Sequence, residues 1–203
     1  MRTALLFVAL LLAGAAPLAQ AGHEAVSPRL RLTDREAPRF EVAAETSYLW
    51  GFLANPNSYE VQANFITARM RWGAIESDHW MRGYNQLYFL GMVQPILRGP
   101  ENLYWGVSAG FRYNFVQPGS RFVPYVSGGV GLGWIDSQPD VRGAQGQDFT
   151  FNILSAVGVS YRASDRVQIT GGAVYEHLSN GGQTSPNPSL NLFGPQVGVT
   201  WQF

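Results

Sequence analysis

The chain has 203 residues, 14 arginines, no lysine, 14 acidic side chains, no cysteine and no net formal charge. That composition excludes a disulfide framework and thiol chemistry and offers no basic block for nucleic acid, while the length fits one domain. Aromatic residues and glycines are both abundant, which suits a β-rich architecture.

Met1-Arg2 is a short charged opening, Thr3 to Leu18 is apolar and uncharged, and Ala19-Gln20-Ala21 has the small-x-small pattern of a signal-peptidase site. Residues 1–21 are therefore predicted to be a cleaved secretory signal rather than a membrane helix. Residues 22–38, including His23, are predicted to form a periplasmic N-terminal segment, and residues 39–203 a single barrel. The mature chain has no apolar run of the roughly 18 residues a spanning helix needs. The nearest candidate, Phe122 to Ile135, is too short and holds four glycines.

Period-two alternation recurs instead, as expected of strands with one apolar and one polar face. Phe40 to Phe52 sets Phe40, Val42, Ala44, Tyr48, Trp50 and Phe52 against Glu41, Glu45 and Ser47. Tyr59 to Trp72 and Tyr84 to Gln94 alternate more weakly, and in the former the phase slips near Phe65–Ile66, as at a bulge. Leu103 to Phe115 is the clearest, with Leu103, Trp105, Val107, Ala109, Phe111, Tyr113 and Phe115 opposite Ser108, Arg112 and Asn114. Phe122 to Ile135, Phe149 to Tyr161, Val167 to Ser179 and Asn191 to Phe203 complete the set.

Eight strands are an allowed number for a membrane barrel. Gln117-Pro118-Gly119-Ser120 and Ala163-Ser164-Asp165 read as short turns, whereas Ser137 to Asp148 and Asn180 to Leu190 are longer. Short periplasmic turns and long outer loops are the outer-membrane pattern. Phe203 ends the chain on an alternating strand, resembling the terminal signature that such barrels present to their assembly machinery. The polar face carries Glu41, Glu45, Arg112, Arg162 and Glu176, which a closed lumen can pair. A soluble β-sandwich or lipocalin-like barrel would put its polar face outward, and the large aromatics here suit lipid better. The expected fold is all-β, an eight-stranded antiparallel transmembrane barrel filled by its own side chains. Trp50, Trp72, Trp105, Trp134 and Trp201 read as girdle or wall residues, and His79 as part of a charged turn with Glu76 and Asp78.

The segment Tyr175-Glu176-His177-Leu178-Ser179-Asn180-Gly181-Gly182, followed by Asn187-Pro188-Ser189-Leu190-Asn191, carries the chemistry. His177 and Ser179 lie two apart on one strand and share a face with Val167, Ile169, Ala173 and Tyr175. That is the lipid face, where polar groups are costly and often functional. Asn191 falls on the same face at the start of the last strand, so a hairpin brings the three together. Glu176 points into the lumen and is not expected to orient His177. Ser179 as nucleophile, His177 as base and Asn191 as orienter form a triad arrangement, with Asn187, Asn180 and the Gly181 N–H as oxyanion donors. Read without function, the same residues are interfacial polar groups and turn formers.

The stretch His177-Leu178-Ser179-Asn180-Gly181, with Asn187-Pro188 and Leu190-Asn191 before a closing strand, resembles the lipid A 3-O-deacylase (PagL-type) family. The resemblance rests on residues 175–203. It implies an outer-membrane serine esterase acting on lipid A, with lipopolysaccharide and membrane lipids as partners and no cofactor, metal or nucleic acid. His177 and Ser179 fall on the family's base and nucleophile, and Asn187 on a loop Asn of the oxyanion site. The best-known form has Glu where this chain has Asn191. A non-catalytic structural or adhesive barrel, and a lipid A acyltransferase, are the rival readings.

Overall fold

A computed structural model describes residues 32–51 and 58–203. The predicted signal peptide, His23 and Phe52 lie outside those residues. Eight antiparallel strands follow in chain order: β1 (Phe40–Gly51), β2 (Glu60–Ile75), β3 (Gly83–Arg98), β4 (Leu103–Phe115), β5 (Phe122–Ile135), β6 (Phe149–Arg162), β7 (Val167–Ser179) and β8 (Leu190–Gln202). Each pairs with its neighbour in sequence, and β8 pairs with β1 to close the barrel, for example Glu41 with Gln202. Closure leaves no open sheet edge, the condition for a β-structure in lipid. The connections 76–82, 116–121 and 163–166 lie at the end where β1 starts and β8 finishes. The connections 99–102, 136–148 and 180–189 lie at the opposite end, and the two longest of all are among them.

The pleat alternates as the residue types require. The outer wall exposes Ile66, Phe89, Val107, Val130, Val157, Ile169 and Val197, among other large apolar side chains, whereas the lumen holds the charges. Near the turn end Arg69 sits 2.6 Å from Glu45 and 3.9 Å from Glu41. Thr67 donates to Glu45, Gln202 donates to Glu41, and Arg69 reaches Thr200. Arg112 bonds Asn114 and Ser160 and lies 3.5 Å over the Tyr125 ring. Toward the loop end the filling turns apolar, with Leu49, Met92, Leu154, Leu178 and Leu192 packed together.

One of the weaker strand readings is corrected. β2 keeps one phase through Phe65, which faces the lumen while Ile66 faces out. Its register shifts lie elsewhere, between Glu60 and Val61 and between Arg71 and Gly73. Apolar side chains on both faces imitate a slip. Apolar side chains on both faces also weaken the alternation of β3, where Tyr84, Tyr88 and Met92 point in while Phe89 and Val93 point out.

Residues 32–39 lie against the turn end. Glu36 N–H donates to Thr33 Oγ1 and Thr33 N–H to the Glu36 carboxylate, a reciprocal capping arrangement. Ala37 is fully buried beside Tyr84, Val116 and Val123. Arg82 bonds the Glu36 carboxylate at 3.2 Å, and Arg162 donates to the Glu36 carbonyl at 2.7 Å.

Candidate active site

The β7–β8 hairpin builds the site at the loop end of the outer wall. In the ladder His177 lies opposite Asn191 on one side and Ile153 on the other, and Ser179 lies opposite Phe151. Tyr175, His177, Ser179 and Asn191 are all half-buried on the outer face, while Glu176, Leu178 and Leu192 between them are buried in the lumen. An aromatic belt leads up to them: Trp105 stacks on Trp134 at 4.7 Å, Trp134 meets Phe149 at 5.7 Å, and Phe149 meets Phe151 at 5.2 Å. Such belts mark the membrane interface.

The Asn191 amide is fixed by three bonds. Its Nδ2 donates to the Ser189 carbonyl at 3.0 Å, which turns Oδ1 the other way. Oδ1 lies 2.9 Å from His177 Nδ1 and accepts from the Tyr175 hydroxyl at 2.6 Å. A carbonyl oxygen only accepts, so His177 carries its proton on Nδ1 and presents a lone pair at Nε2. Ser189 itself holds a left-handed backbone (φ 53°), which places that carbonyl. The Ser179 hydroxyl makes no hydrogen bond among the described residues, and it lies two residues beyond His177 on the same face of β7.

The loop after Ser179 is braced from within. The Asn180 side chain is fully buried; its Nδ2 donates to the carbonyls of Thr184 (2.7 Å) and Pro186 (3.3 Å), and its Oδ1 accepts from Gly182 N–H. Both amide protons are committed, so Asn180 is corrected from oxyanion donor to loop brace. Asn187 Oδ1 accepts from Asn180 N–H at 3.2 Å, which leaves the Asn187 Nδ2 protons unused among the described residues. Gly181 adopts φ 68°, a left-handed conformation that favours glycine, and a Cβ there would lie 3.1 Å from the Phe151 ring, which would have to shift slightly. Its N–H also has no bond among the described residues. The Asn187 Nδ2 protons and the Gly181 N–H are thus the donors of this loop left without a partner among the described residues.

Two features escape a reading of the sequence alone. Tyr175 shares the parity of His177, so its face was legible, but its bond to Asn191 was not. The second is a clamp from the 136–148 loop. Gly146 N–H donates to the Pro186 carbonyl at 2.8 Å, and Gln147 bonds Gln183 and Thr184. A Cβ on Gly146 would come within 2.7 Å of that carbonyl, so the loops meet backbone to backbone. No local pattern announces a contact forty residues away. Glu176 is buried in the lumen, where the Gln94 amide reaches its carboxylate at 2.9 and 3.0 Å, and it takes no part in orienting His177.

A family model described as lipid A 3-O-deacylase (PagL) matches residues 57–200. Nothing matches among curated protein sequences. Among solved structures the chain is similar to Neisserial surface protein A, at 15% identity and TM-score 0.60 over 81% of this chain and 97% of that one. It is also similar to the outer membrane enzyme PagL, at 15% identity and TM-score 0.54 over 78% of this chain and 97% of that one. At such identities the structural likeness concerns the barrel alone.

Proposed function

Because the chain belongs to the lipid A 3-O-deacylase (PagL) family of the Gram-negative outer membrane, we propose that it is a serine esterase that hydrolyses the acyl ester at the 3-position of lipid A. The observation that carries this reading is the 2.9 Å contact between His177 Nδ1 and Asn191 Oδ1, which leaves Nε2 free on the face and strand that hold Ser179. Ser179 Oγ attacks the acyl carbonyl as its proton passes to Nε2. The tetrahedral oxyanion receives hydrogen bonds from Asn187 Nδ2 and Gly181 N–H. Collapse expels the sugar 3-oxygen, which takes the proton from Nε2. Water then repeats the cycle to free the fatty acid and restore Ser179. The outer aromatic belt sets the ester bonds of an amphiphile at the level of Ser179.

Asn191 also favours a second reading. It fixes the imidazole tautomer, as an Asn can in a Cys-His-Asn site, but it brings no negative charge to an imidazolium. A barrel that kept the architecture without the turnover would look the same. Lipid A mass spectrometry on cells expressing the wild type and Ser179→Ala separates these. Loss of one hydroxyacyl chain with the wild type alone supports the esterase. Unchanged lipid A with both, given folded barrel in the membrane, supports the non-catalytic reading. A mass gain indicates acyl transfer instead.

A further inference from the structure

The turn end of the barrel carries a second polar site, far from Ser179 and unused by the chemistry above. An open cleft of about 750 Å³ lies between the 116–121 and 163–166 turns, and Arg35, Glu36, Arg121, Arg162 and Arg166 line it with Asp165. The two carboxylates are already engaged: Asp165 pairs with Arg35, and Glu36 pairs with Arg82. Arg162 is steered by neutral acceptors only, the carbonyls of Ser120 (3.0 Å) and Glu36 (2.7 Å). Arg121 and Arg166 are exposed and have no side-chain partner among the described residues. The three guanidinium groups thus share one cleft whose two carboxylates are bound to other arginines, an excess of positive charge that an anion relieves. Guanidinium groups match phosphate oxygens in geometry.

The wall immediately beside the cleft is apolar and indented. Arg121 and Arg162 adjoin Phe122 and Tyr161, whose rings meet at 5.2 Å across the β5–β6 pair. Tyr161 lies opposite Ile169, and two residues farther up β7 is Gly171, flanked by Val159 on β6 and Val197 on β8. Gly171 faces out, and the space a Cβ would occupy there is open. Gly171 therefore leaves a short trough one side chain deep among branched apolar residues, with the Ile169 side chain standing between it and the aromatic pair at the rim of the cleft.

We propose that the cleft and trough together bind one anionic phospholipid of the periplasmic leaflet, its phosphate among Arg121, Arg162 and Arg166 and an acyl chain over Gly171. Both halves lie along β6 and β7, polar at the rim and apolar above it, which is the polarity order of a lipid. The site is independent of the esterase reading, since Ser179 lies at the other end of β7.

The test is native mass spectrometry of the full-length protein released from mild detergent micelles doped with phosphatidylglycerol or phosphatidylethanolamine. The wild type is expected to retain phosphatidylglycerol over phosphatidylethanolamine. Arg121→Gln with Arg166→Gln should lower that retention about thirtyfold, the scale of losing two basic residues at an anionic surface. Gly171→Leu, which fills the trough, should lower it without creating any preference for phosphatidylethanolamine. Heat-modifiable migration in gels confirms that each variant is folded, and Ser179→Ala should retain lipid like the wild type. Equal retention of the two lipids, or no change in the double variant, overturns the proposal. So does displacement of phosphatidylglycerol by equimolar inorganic phosphate, which would assign the cleft to a soluble anion.

Discussion

The Arg69 cluster in the lumen and the His177 cluster on the outer wall both put polar side chains into apolar surroundings, yet they differ in how their bonding capacity is used. Around Arg69 the valences close on one another: Glu45, Glu41, Thr67, Thr200 and Gln202 supply partners for both charges of the ion pair. Around His177 the network is closed on one side only. Asn191 Oδ1 is filled by Tyr175 and His177 and its Nδ2 is held by Ser189, while Ser179 Oγ, Asn187 Nδ2 and Gly181 N–H have no partner among the described residues. A structural polar cluster ends in itself, and a reactive one leaves atoms directed outward.

Substitutions at the two places should therefore fail in opposite ways. Ser179→Ala removes the proposed nucleophile, and deacylation should fall by roughly three orders of magnitude or more, as in other hydroxyl-nucleophile enzymes. Urea unfolding should be unchanged or slightly harder, because the lost hydroxyl bonds nothing. Arg69→Ala leaves Glu45 and Glu41 buried and unpaired. Such a break costs about 3–5 kcal/mol, read as an earlier urea midpoint, while the folded fraction should keep normal turnover per molecule. Loss of stability in the first variant, or of turnover alone in the second, would erase the distinction between the clusters.

Smaller effects are expected where the site closes on itself. Asn191→Glu gives the imidazolium a charged partner, and since the tautomer is already correct the gain should be only about tenfold in kcat, near 1.4 kcal/mol of barrier. Tyr175→Phe removes the second donor to Oδ1 and lets the amide turn. A loss of about fivefold in kcat, on the order of one neutral hydrogen bond, with unchanged KM would mark Tyr175 as a positioning residue. An equal rise in KM would place it in substrate binding instead.

How far these differences could be read in advance depended on the range of the interactions. The outer and inner faces of β4 and β5 were legible because Ser, Arg, Asn and Gly mark most of the lumen face and large apolar residues most of the outer one, despite Tyr104, Val123, Tyr125 and Ile135 inside. β2 and β3 were less so, since Phe65, Tyr88 and Met92 fill the lumen with the same residue types that face lipid. Arg69, the centre of the lumen cluster, was lost in that ambiguity. At the site, parity located His177, Ser179 and Asn191. Hydrogen-bond saturation decided the rest: it removed Asn180 from the donors, added Tyr175, and recruited Gly146 and Gln147 from another loop.

The mildest expected effect concerns a polar group that is closed on itself but reached by water. At the turn end, partial burial would raise the Glu36 carboxyl, but the Thr33 N–H and the Arg82 guanidinium outweigh it and hold the carboxyl below the ordinary glutamate range. A group depressed in the folded state stabilises above its unfolded pKa and stops doing so as pH falls through the folded value. The contact between residues 32–39 and the barrel should thus be firm above about pH 4.3 and loosen progressively below it. Hydrogen exchange at Ala37 N–H, which bonds the Thr33 carbonyl at 2.9 Å, reports this directly. In the wild type its protection should drop across that acidic window, while amides in the closed strands stay protected. Glu36→Gln should already show the loosened state at neutral pH and lose the pH dependence. If the variant kept the wild-type profile, another carboxylate would be responsible. Asp34, which pairs with Arg71 across the same rim at 3.2 Å, would be the next to replace.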